Sequence, residues 1–191
     1  MSRIFICSDW HLNHNREFIY KARGFGSIEE MNEEIIKRHN SLVTTEDDVY
    51  VVGDLCLGGG EPGITAKNQA LIERMNGRLH IILGNHCTPA RQEMYKNCKN
   101  VVEVTYATML KYRGYHFFLT HYPCMTANLE KETLKQCIIS ISGHTHSSDP
   151  FYNDIPFMYN CAMDAHSCYP VLLDDAIEEM KAKVKECQEE L

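Results

Sequence analysis

Five short apolar runs in this chain are each followed by side chains that bind metals. The runs cover residues 3–7, 48–52, 79–83, 115–119 and 137–142, and each is predicted to be a strand. The metal-binding side chains that follow them are Asp9, His11, Asp54, Asn85, His121, His144 and His146. Strands that end side by side deliver such residues to one edge of a sheet. The pattern therefore predicts a cluster of oxygen and imidazole ligands at that edge.

Helical patterns separate the first strands, which predicts an α/β fold. Ser27 and Glu30 fit a capping box, with Ser27 as the N-cap. The helix after them should place four apolar side chains on one face, those of Met31, Ile35, Ile36 and Leu42. Further helices are expected at residues 66–75 and 91–97, and Asp174 is expected to cap a last one.

The second half of the chain is richer in strands. Residues 101–107, 157–163 and 171–173 add three strand patterns to the later runs, with few helices between them. We expect them to form a second sheet, partly antiparallel, that packs face to face on the first. The glycine-rich residues 58–63 predict a flexible loop near the site. Without an interrupting linker, residues 1–191 are expected to form one domain.

Composition limits the partners. The net charge of −7 disfavours nucleic acid and anionic membranes as partners of the bulk surface. No apolar run approaches the ~20 residues of a membrane span, and the first residues lack the apolar stretch of a signal peptide. The nine cysteines form no CxxC pair, so we expect reduced, mostly buried thiols. These features predict a cytoplasmic protein.

The ligand types suit divalent cations. Asp9 and His11 lie two residues apart at a strand end, so both can reach one ion. A carboxylate with an imidazole suits Mn, Fe or Zn. If Asp54 bridges two ions, the seven side chains give each ion four ligands and leave room for a shared hydroxide. Two dications against two carboxylates leave a positive charge that would attract a phosphate.

Histidines outside this ligand set are open to other roles. His86 follows Asn85. It is our candidate to protonate a leaving oxygen or to stabilise charge at the phosphorus centre. His14 could line the substrate pocket and His166 could lie near it, whereas His39 is expected in solvent or at a cap. Trp10 is expected to pack beneath the metal loop. For three arginines, Arg16, Arg23 and Arg91, we expect a salt bridge rather than phosphate binding.

The motifs together resemble the calcineurin-like metallophosphoesterases. They are Asp9-x-His11, Gly53-Asp54, Gly84-Asn85-His86, His121 and Gly143-His144-x-His146. The segments SDWHLNH and EEMNEEIIKRHNSL are similar to the small bacterial and phage members, as is the late stretch NCAMD…YPVLLDD. The resemblance implies a four-layer αββα sandwich of two mixed β-sheets flanked by helices, with a dinuclear centre at the sheet ends.

The resemblance also implies roles for individual residues. Asp9, His11, Asp54 and His146 would hold one metal. Asp54, Asn85, His121 and His144 would hold the other. His86 would be the acid that assists the leaving group. The ions would be Mn, Fe, Ni or Zn, with Mn favoured, and the substrate would be a small or nucleotide-like phosphomonoester or phosphodiester.

Two departures from the family pattern affect these expectations. The family usually has Asp or Glu after its Gly-Asn-His, and here Cys87 takes that place. Another acid, such as Asp164, could then hold His86, and a second idea is that Cys87 itself binds metal. The Asp-Arg-Gly of the Ser/Thr phosphatases is absent after Gly53, which disfavours a protein phosphatase.

Two alternatives to a small-molecule phosphoesterase remain. A scaffold that uses this fold only for binding would be expected to lose His86 or several ligands, and this chain keeps them all. A nuclease is disfavoured by the acidic charge and by the lack of an evident basic and aromatic stripe.

Overall fold

The computed structural model describes residues 2–58, 63–127 and 133–189, so residues 59–62 of the predicted glycine-rich loop lie outside the described part. The described strands are β1 (Ile4–Cys7), β2 (Asp48–Val52), β3 (Arg78–Ile82), β4 (Val101–Thr105), β5 (Ala107–Tyr112), β6 (Tyr115–Thr120), β7 (Ile138–Ser142), β8 (Met158–Asn160) and β9 (Val171–Leu172). The described helices are α1 (Glu17–Tyr20), α2 (Ile28–Leu42), α3 (Ile64–Ile72), α4 (Pro89–Lys96) and α5 (Leu173–Glu189), with a 3₁₀ turn at Tyr152–Asp154.

The first sheet brings three candidate ligand loops to one edge. Its strand order is β4-β3-β2-β1-β9, and only β9 runs antiparallel to its neighbour. Cys7 pairs with Val51 and Val52 pairs with Ile82, so β1, β2 and β3 end almost level. Because these strands are parallel, the loops that follow them emerge side by side.

The second sheet brings the remaining ligands to the same edge. Its order is β5-β6-β7-β8, with an antiparallel β5–β6 hairpin and parallel pairs beyond it. The two sheets meet at this edge, where Ser8 forms a parallel bridge with Ala162. The carbonyl of Ser8 also accepts a hydrogen bond from the amide of Met163. The loops after β6 and β7 therefore face the loops after β1 and β2.

Two apolar clusters hold this arrangement together. The outer face of the first sheet, represented by Val49 and Ile81, packs against α2, α3 and α4 through residues such as Ile35. The opposite face, represented by Ile6, packs on the second sheet and on α5, whose Met180 is fully buried. The predicted α/β fold with two mixed sheets and flanking helices is confirmed.

The predicted helices are present with shifted ends. The Ser27 hydroxyl accepts the amide of Glu30 at 3.1 Å, as a capping box requires. The Glu30 carboxylate reaches back to the amide of Gly26 rather than to that of Ser27. Leu42 is 40% exposed and does not share the buried face of α2. The last helix begins at Leu173, so Asp174 lies in its first turn instead of capping it.

Two strand assignments were wrong. The segment 101–107 is divided between the sheets, because β4 ends at Thr105 in the first sheet and β5 begins at Ala107 in the second. The segment 171–173 supplies β9, which pairs with β1 in the first sheet. Strand β5 was missed because its hairpin turn uses Arg113-Gly114, both with positive φ, in place of the more recognisable Asn-Gly.

In the described part of the chain, no helix combines the length and the hydropathy that a bilayer crossing needs.

Candidate metal centre

All seven predicted ligands are brought together at the shared edge of the two sheets. Asp9 and His11 follow β1, Asp54 follows β2, and Asn85 follows β3. The second sheet contributes His121 after β6, with His144 and His146 after β7. A single edge thus collects two carboxylates, one amide and four imidazoles from five strands.

One group of side chains surrounds the first loop. Ligand atoms of Asp9, His11 and His146 all lie within 4.8 Å of one another. The Oδ1 atom of Asp9 is 3.6 Å from Nε2 of His11 and 3.9 Å from Nε2 of His146. These are three of the four side chains that the family resemblance assigns to one metal.

A second group lies beside it. Ligand atoms of Asp9, Asp54 and His121 also fall within 4.8 Å of one another, and Oδ2 of Asp54 is 3.3 Å from Nε2 of His121. The amide oxygen of Asn85 is 2.9 Å from Nε2 of His121 and 3.1 Å from Nδ1 of His144. Asp9 is common to both groups, whereas the resemblance gives the shared position to Asp54, so a bridging Asp54 stays a prediction.

The donor set fits a divalent cation. Oδ1 of Asp9 and Nε2 of His11 are buried and have no hydrogen-bond partner among the described residues. Buried polar atoms are normally paired, and an isolated carboxylate oxygen facing an imidazole nitrogen calls for a cation between them. Carboxylate, amide and imidazole together suit Mn, Fe, Ni or Zn better than a soft, thiolate-binding metal.

Five of the eleven described non-glycine residues with positive φ are candidate ligands. Five candidate ligands have positive φ angles, between 50° and 77°, namely Asp9, His11, Asp54, His144 and His146. Such angles are uncommon for residues with a Cβ and cost on the order of 1–3 kcal/mol each when held by their surroundings. Holding these side chains in their orientations therefore costs folding stability. Strained residues of this kind cluster at functional sites.

Glycines next to the ligands make room for this packing. A Cβ added to Gly84 would overlap the Asp54 carboxylate. A Cβ added to Gly143 would overlap the Ser8 hydroxyl and the Asp9 carboxylate. The glycines before the ligands in these motifs are thus required by close approach of the carboxylates.

Hydrogen bonds behind the ligands fix their orientation. Nδ1 of His146 lies 2.8 Å from Oδ2 of Asp164, and Nδ1 of His121 lies 2.9 Å from the carbonyl of Val52. Each contact turns the Nε2 atom of its ring toward the carboxylates. A hydrogen-bond partner on the far nitrogen of the ring also raises the affinity of an imidazole for metal.

Asp164 does not hold His86, contrary to one of our expectations. Its carboxylate pairs with His146 and with the buried guanidinium of Arg23, at 2.8–2.9 Å. Arg23 also donates to the backbone carbonyls of Asp9 and Trp10, so it connects the first ligand loop to the Asp164 carboxylate. The expected salt bridge of Arg23 is confirmed, although the side chain is buried rather than solvated.

His86 is anchored through its backbone. Its amide donates to Oδ1 of Asp54 at 3.1 Å, and its carbonyl accepts a hydrogen bond from Arg91. Its imidazole is 42% exposed, with Nε2 3.9 Å from Oδ2 of Asp54. The ring therefore faces the opening of the site from a fixed backbone position.

Cys87 faces away from this opening. Its Sγ accepts the amide of Gly84 at 3.2 Å and lies 4.0 Å from the hydroxyl of Tyr95. Burial raises the pKa of its thiol, which disfavours the thiolate. Cys87 belongs to neither group of metal-binding atoms found among the described residues.

The carboxylates are ionised in this environment. Burial disfavours the charged form of Asp9, but the nearby His11 imidazole and the hydrogen bond from Ser8 outweigh it and place its pKa below the usual range. Burial likewise opposes ionisation of Asp54, and the hydrogen bond with His121 outweighs it and lowers the pKa. Burial lowers the pKa of His11 and of His144, which favours the neutral imidazole that binds metal.

A cavity of 490 Å³ opens above the cluster. Besides ligand residues it is lined by His14, Phe18 and His86. His14 therefore lies at the cavity, and its role in a substrate pocket stays a prediction. His166 lies elsewhere, with its Nε2 2.7 Å from the carbonyl of Asn160.

Other expectations for single residues had mixed outcomes. Trp10 is fully buried, as expected. His39 is also fully buried, so its assignment to solvent or a cap was wrong; its ring packs at 82° against Trp10 and its Nε2 hydrogen-bonds the carbonyl of Asn76. Seven of the nine cysteines are buried, as expected of small apolar side chains.

Sequence reasoning missed the residues that support the ligands. The Ser8 hydroxyl donates to the Asp9 carboxylate and lies 2.7 Å from the carbonyl of Val52. The Tyr152 hydroxyl donates to the carbonyl of Gly143. Ser8 adjoins a predicted ligand and could have been inferred, whereas no local signal points to Tyr152.

The sequence also matches a known protein family. Residues 2–160 match the family model described as the calcineurin-like phosphoesterase superfamily domain. The chain therefore belongs to the calcineurin-like phosphoesterase superfamily. Membership of this family implies divalent metal ions and phosphoester substrates.

Individual relatives add detail. The uncharacterized protein MJ1445 of Methanocaldococcus jannaschii is 32% identical over 178 residues, which cover 91% of this chain and 89% of that protein. The gene 66 protein of Mycobacterium phage L5 is 32% identical over 90 residues, or 47% of this chain and 42% of that protein. The crystal structure of AQ665 from Aquifex aeolicus, a protein of unknown function, superposes with a TM-score of 0.69 at 18% identity and supports the fold alone; the match covers 93% of this chain and 99% of that one.

Proposed function

We propose that this protein is a metal-dependent phosphoesterase that hydrolyses small or nucleotide-like phosphomonoesters or phosphodiesters at a centre of two divalent cations. The observation that carries the proposal is the convergence of seven ligand side chains from five strands beneath one open cavity. Asp9, His11, Asp54 and His146 would hold one cation, and Asp54, Asn85, His121 and His144 the other. Mn is the favoured metal, followed by Fe, Ni and Zn.

The cations, when bound, would polarise the phosphoryl oxygens and make a water-derived nucleophile available at neutral pH. The protein's own part is to hold the ligands and to handle a proton. His86 would protonate the leaving oxygen, a role supported by its position at the cavity and by its anchored backbone. Asp164 and the Val52 carbonyl keep His146 and His121 in their orientations.

The cavity favours compact substrates. At 490 Å³ it falls in the size range of small-ligand sites, which is about 300–1,000 Å³. The net charge of −7 disfavours long nucleic acids as substrates. A nuclease is therefore ranked second, below an enzyme that acts on small phosphoesters.

An assay with metal depletion tests the function. Protein treated with EDTA should lose activity toward p-nitrophenyl phosphate or bis-p-nitrophenyl phosphate and regain it when Mn is added. A lack of turnover on a broad phosphoester panel, with metal bound, would contradict the proposal. Preference for single-stranded oligonucleotides over mononucleotide substrates would instead support the nuclease.

A His86→Ala variant distinguishes an enzyme from a scaffold. We expect it to bind metal normally and to lose activity by about 10²–10⁴-fold, the usual contribution of a general acid. A His116→Ala variant, near the start of β6, removes a histidine outside the cavity and is the matched control. Equal activities of the two variants would remove His86 from the mechanism.

A further inference from the structure

An aromatic ring borders the polar site without being part of the core. Phe18 lies on the short helix α1 between Glu17 and Ile19, and its residue surface is 70% exposed. Its neighbours Ile19 and Tyr20 are buried, so α1 is held in place by them and not by Phe18. A single exposed phenylalanine is common in proteins and would mean little by itself.

The position of Phe18 gives it significance. It lines the same 490 Å³ cavity as the ligands Asn85, His144 and His146, together with Ile19 and Ala22. The cavity thus has a polar end at the metal-binding cluster and an apolar end at α1. A ligand that filled it would have to be charged at one end and apolar at the other.

Ring distances set the spacing between the two ends. The His14 ring lies between them, with its centroid 5.1 Å from that of His11 and 5.9 Å from that of Phe18. The planes of His14 and Phe18 stand at 84°, so the two rings do not stack on each other, and Phe18 stays 70% exposed. These two distances limit the separation of the His11 and Phe18 ring centroids to at most 11.0 Å, so a single nucleotide could contact both ends.

We propose that Phe18 is a stacking platform for the nucleobase, or a similar planar heterocycle, of a nucleotide-like substrate whose phosphate lies at the ligand cluster. This inference rests on the proposed function for the position of the phosphate. The phenyl ring has no hydrogen-bonding group, so the platform should accept different bases with little discrimination. Sugar phosphates and other ligands without a planar aromatic ring would gain nothing from it.

Binding of two matched phosphonates tests the platform without requiring turnover. The probes are non-hydrolysable 5′-phosphonates of adenosine and of ribose, titrated calorimetrically into the Mn-loaded protein. Since stacking on an aromatic side chain commonly contributes about tenfold or more in affinity, the adenosine probe should bind about tenfold more tightly than the ribose probe. The Phe18→Ala substitution should bring the ratio near one by weakening only the adenosine probe.

Three further variants separate stacking from other effects. Phe18→Tyr keeps a ring and should keep the ratio, whereas Phe18→Leu keeps apolar bulk without a ring and should lose most of it. Met109→Ala removes an exposed apolar side chain from β5, outside the cavity, and should change neither affinity. A ratio near one in the unaltered protein, or a ratio that Phe18→Ala leaves intact, would overturn the platform.

The outcomes also separate this inference from the proposed function. A Phe18-dependent preference for adenosine in a protein that hydrolyses no phosphoester would support the platform and reject the enzyme. Phosphoester hydrolysis with a ratio that does not depend on Phe18 would support the enzyme and reject the platform.

Discussion

The carboxylate of Asp164 lies 2.8 Å from Nδ1 of His146 and fixes the direction in which that ring presents its Nε2 atom. The hydrogen bond raises the pKa of His146, and Arg23 holds the same carboxylate from the other side. Because Asp164 does not lie in either group of metal-binding atoms, it acts on a metal only through His146.

The first prediction concerns this contact. Asp164→Asn should weaken the binding of one cation by about 10–100-fold, which is the usual effect of removing a carboxylate that orients a metal-binding histidine. The second cation should bind normally. Isothermal titration with Mn measures both, and Glu178→Gln, which removes an exposed charge from α5, is the control. Unchanged affinity for both cations in Asp164→Asn would show that the contact has no influence on the metal.

The second prediction concerns Cys87. Its thiol is turned toward the Gly84 amide and Tyr95, so Cys87→Ser should leave the metal content of the protein unchanged. The serine hydroxyl can still accept the Gly84 amide. Elemental analysis checks this, with Asp54→Asn as a variant that should lose metal. A drop in metal content in Cys87→Ser would place the thiol among the ligands after all.

The third prediction concerns the close approach at Gly143. An alanine there would collide with the Ser8 hydroxyl and the Asp9 carboxylate, so Gly143→Ala should bind metal poorly. It should also lose about 1–3 kcal/mol of unfolding free energy, as overpacked sites do. Gly26→Ala is the control, because its Cβ would meet only the Glu30 carboxylate, at 3.1 Å, on an exposed side chain. Urea denaturation and Mn titration of both variants give the comparison.

The fourth prediction concerns the buried His39. Burial lowers its pKa from 6.5 to about 4, and its Nδ1 atom has no hydrogen-bond partner among the described residues. Between these pH values the unfolded chain binds a proton that the folded protein does not. The free energy of unfolding should therefore fall as the pH is lowered through this window, by about 3 kcal/mol from this group.

A His39→Gln variant isolates that contribution. Measured by urea denaturation in EDTA from pH 7 to pH 4.5, it should lose less stability on acidification than the unaltered protein does. A Met109→Ala variant, which changes an exposed side chain that does not titrate, should lose as much stability on acidification as the unaltered protein does. Parallel pH profiles for the unaltered protein and His39→Gln would contradict the assignment of a neutral buried imidazole.

Much of the site could be predicted because its signals are local. An apolar run followed by Asp, Asn or His is visible in the sequence, and parallel strands then place those residues together. The same reasoning could not separate β4 from β5, because the chain changes sheets at Tyr106 within one continuous strand pattern. Sheet membership depends on long-range pairing, which periodicity does not encode.

The supporting residues were harder to predict for a related reason. Asp164 is 18 residues from His146 and 141 from Arg23, and only the folded chain reveals that it serves both. His39 looked like a surface residue because it lies in a polar stretch of α2, yet it packs under Trp10. The positive φ angles of the ligands were likewise not predictable, since Asp and His carry no signal as strong as that of glycine.

Anomalous diffraction from crystals of the Mn-loaded protein tests the central claim most directly. The account predicts two peaks at the shared sheet edge, about 3.5–4 Å apart, as in other two-metal phosphoryl-transfer sites. One should lie among Asp9, His11 and His146, and the other among Asn85, His121 and His144, with Asp54 between them. A single peak, or peaks away from these seven side chains, would contradict it.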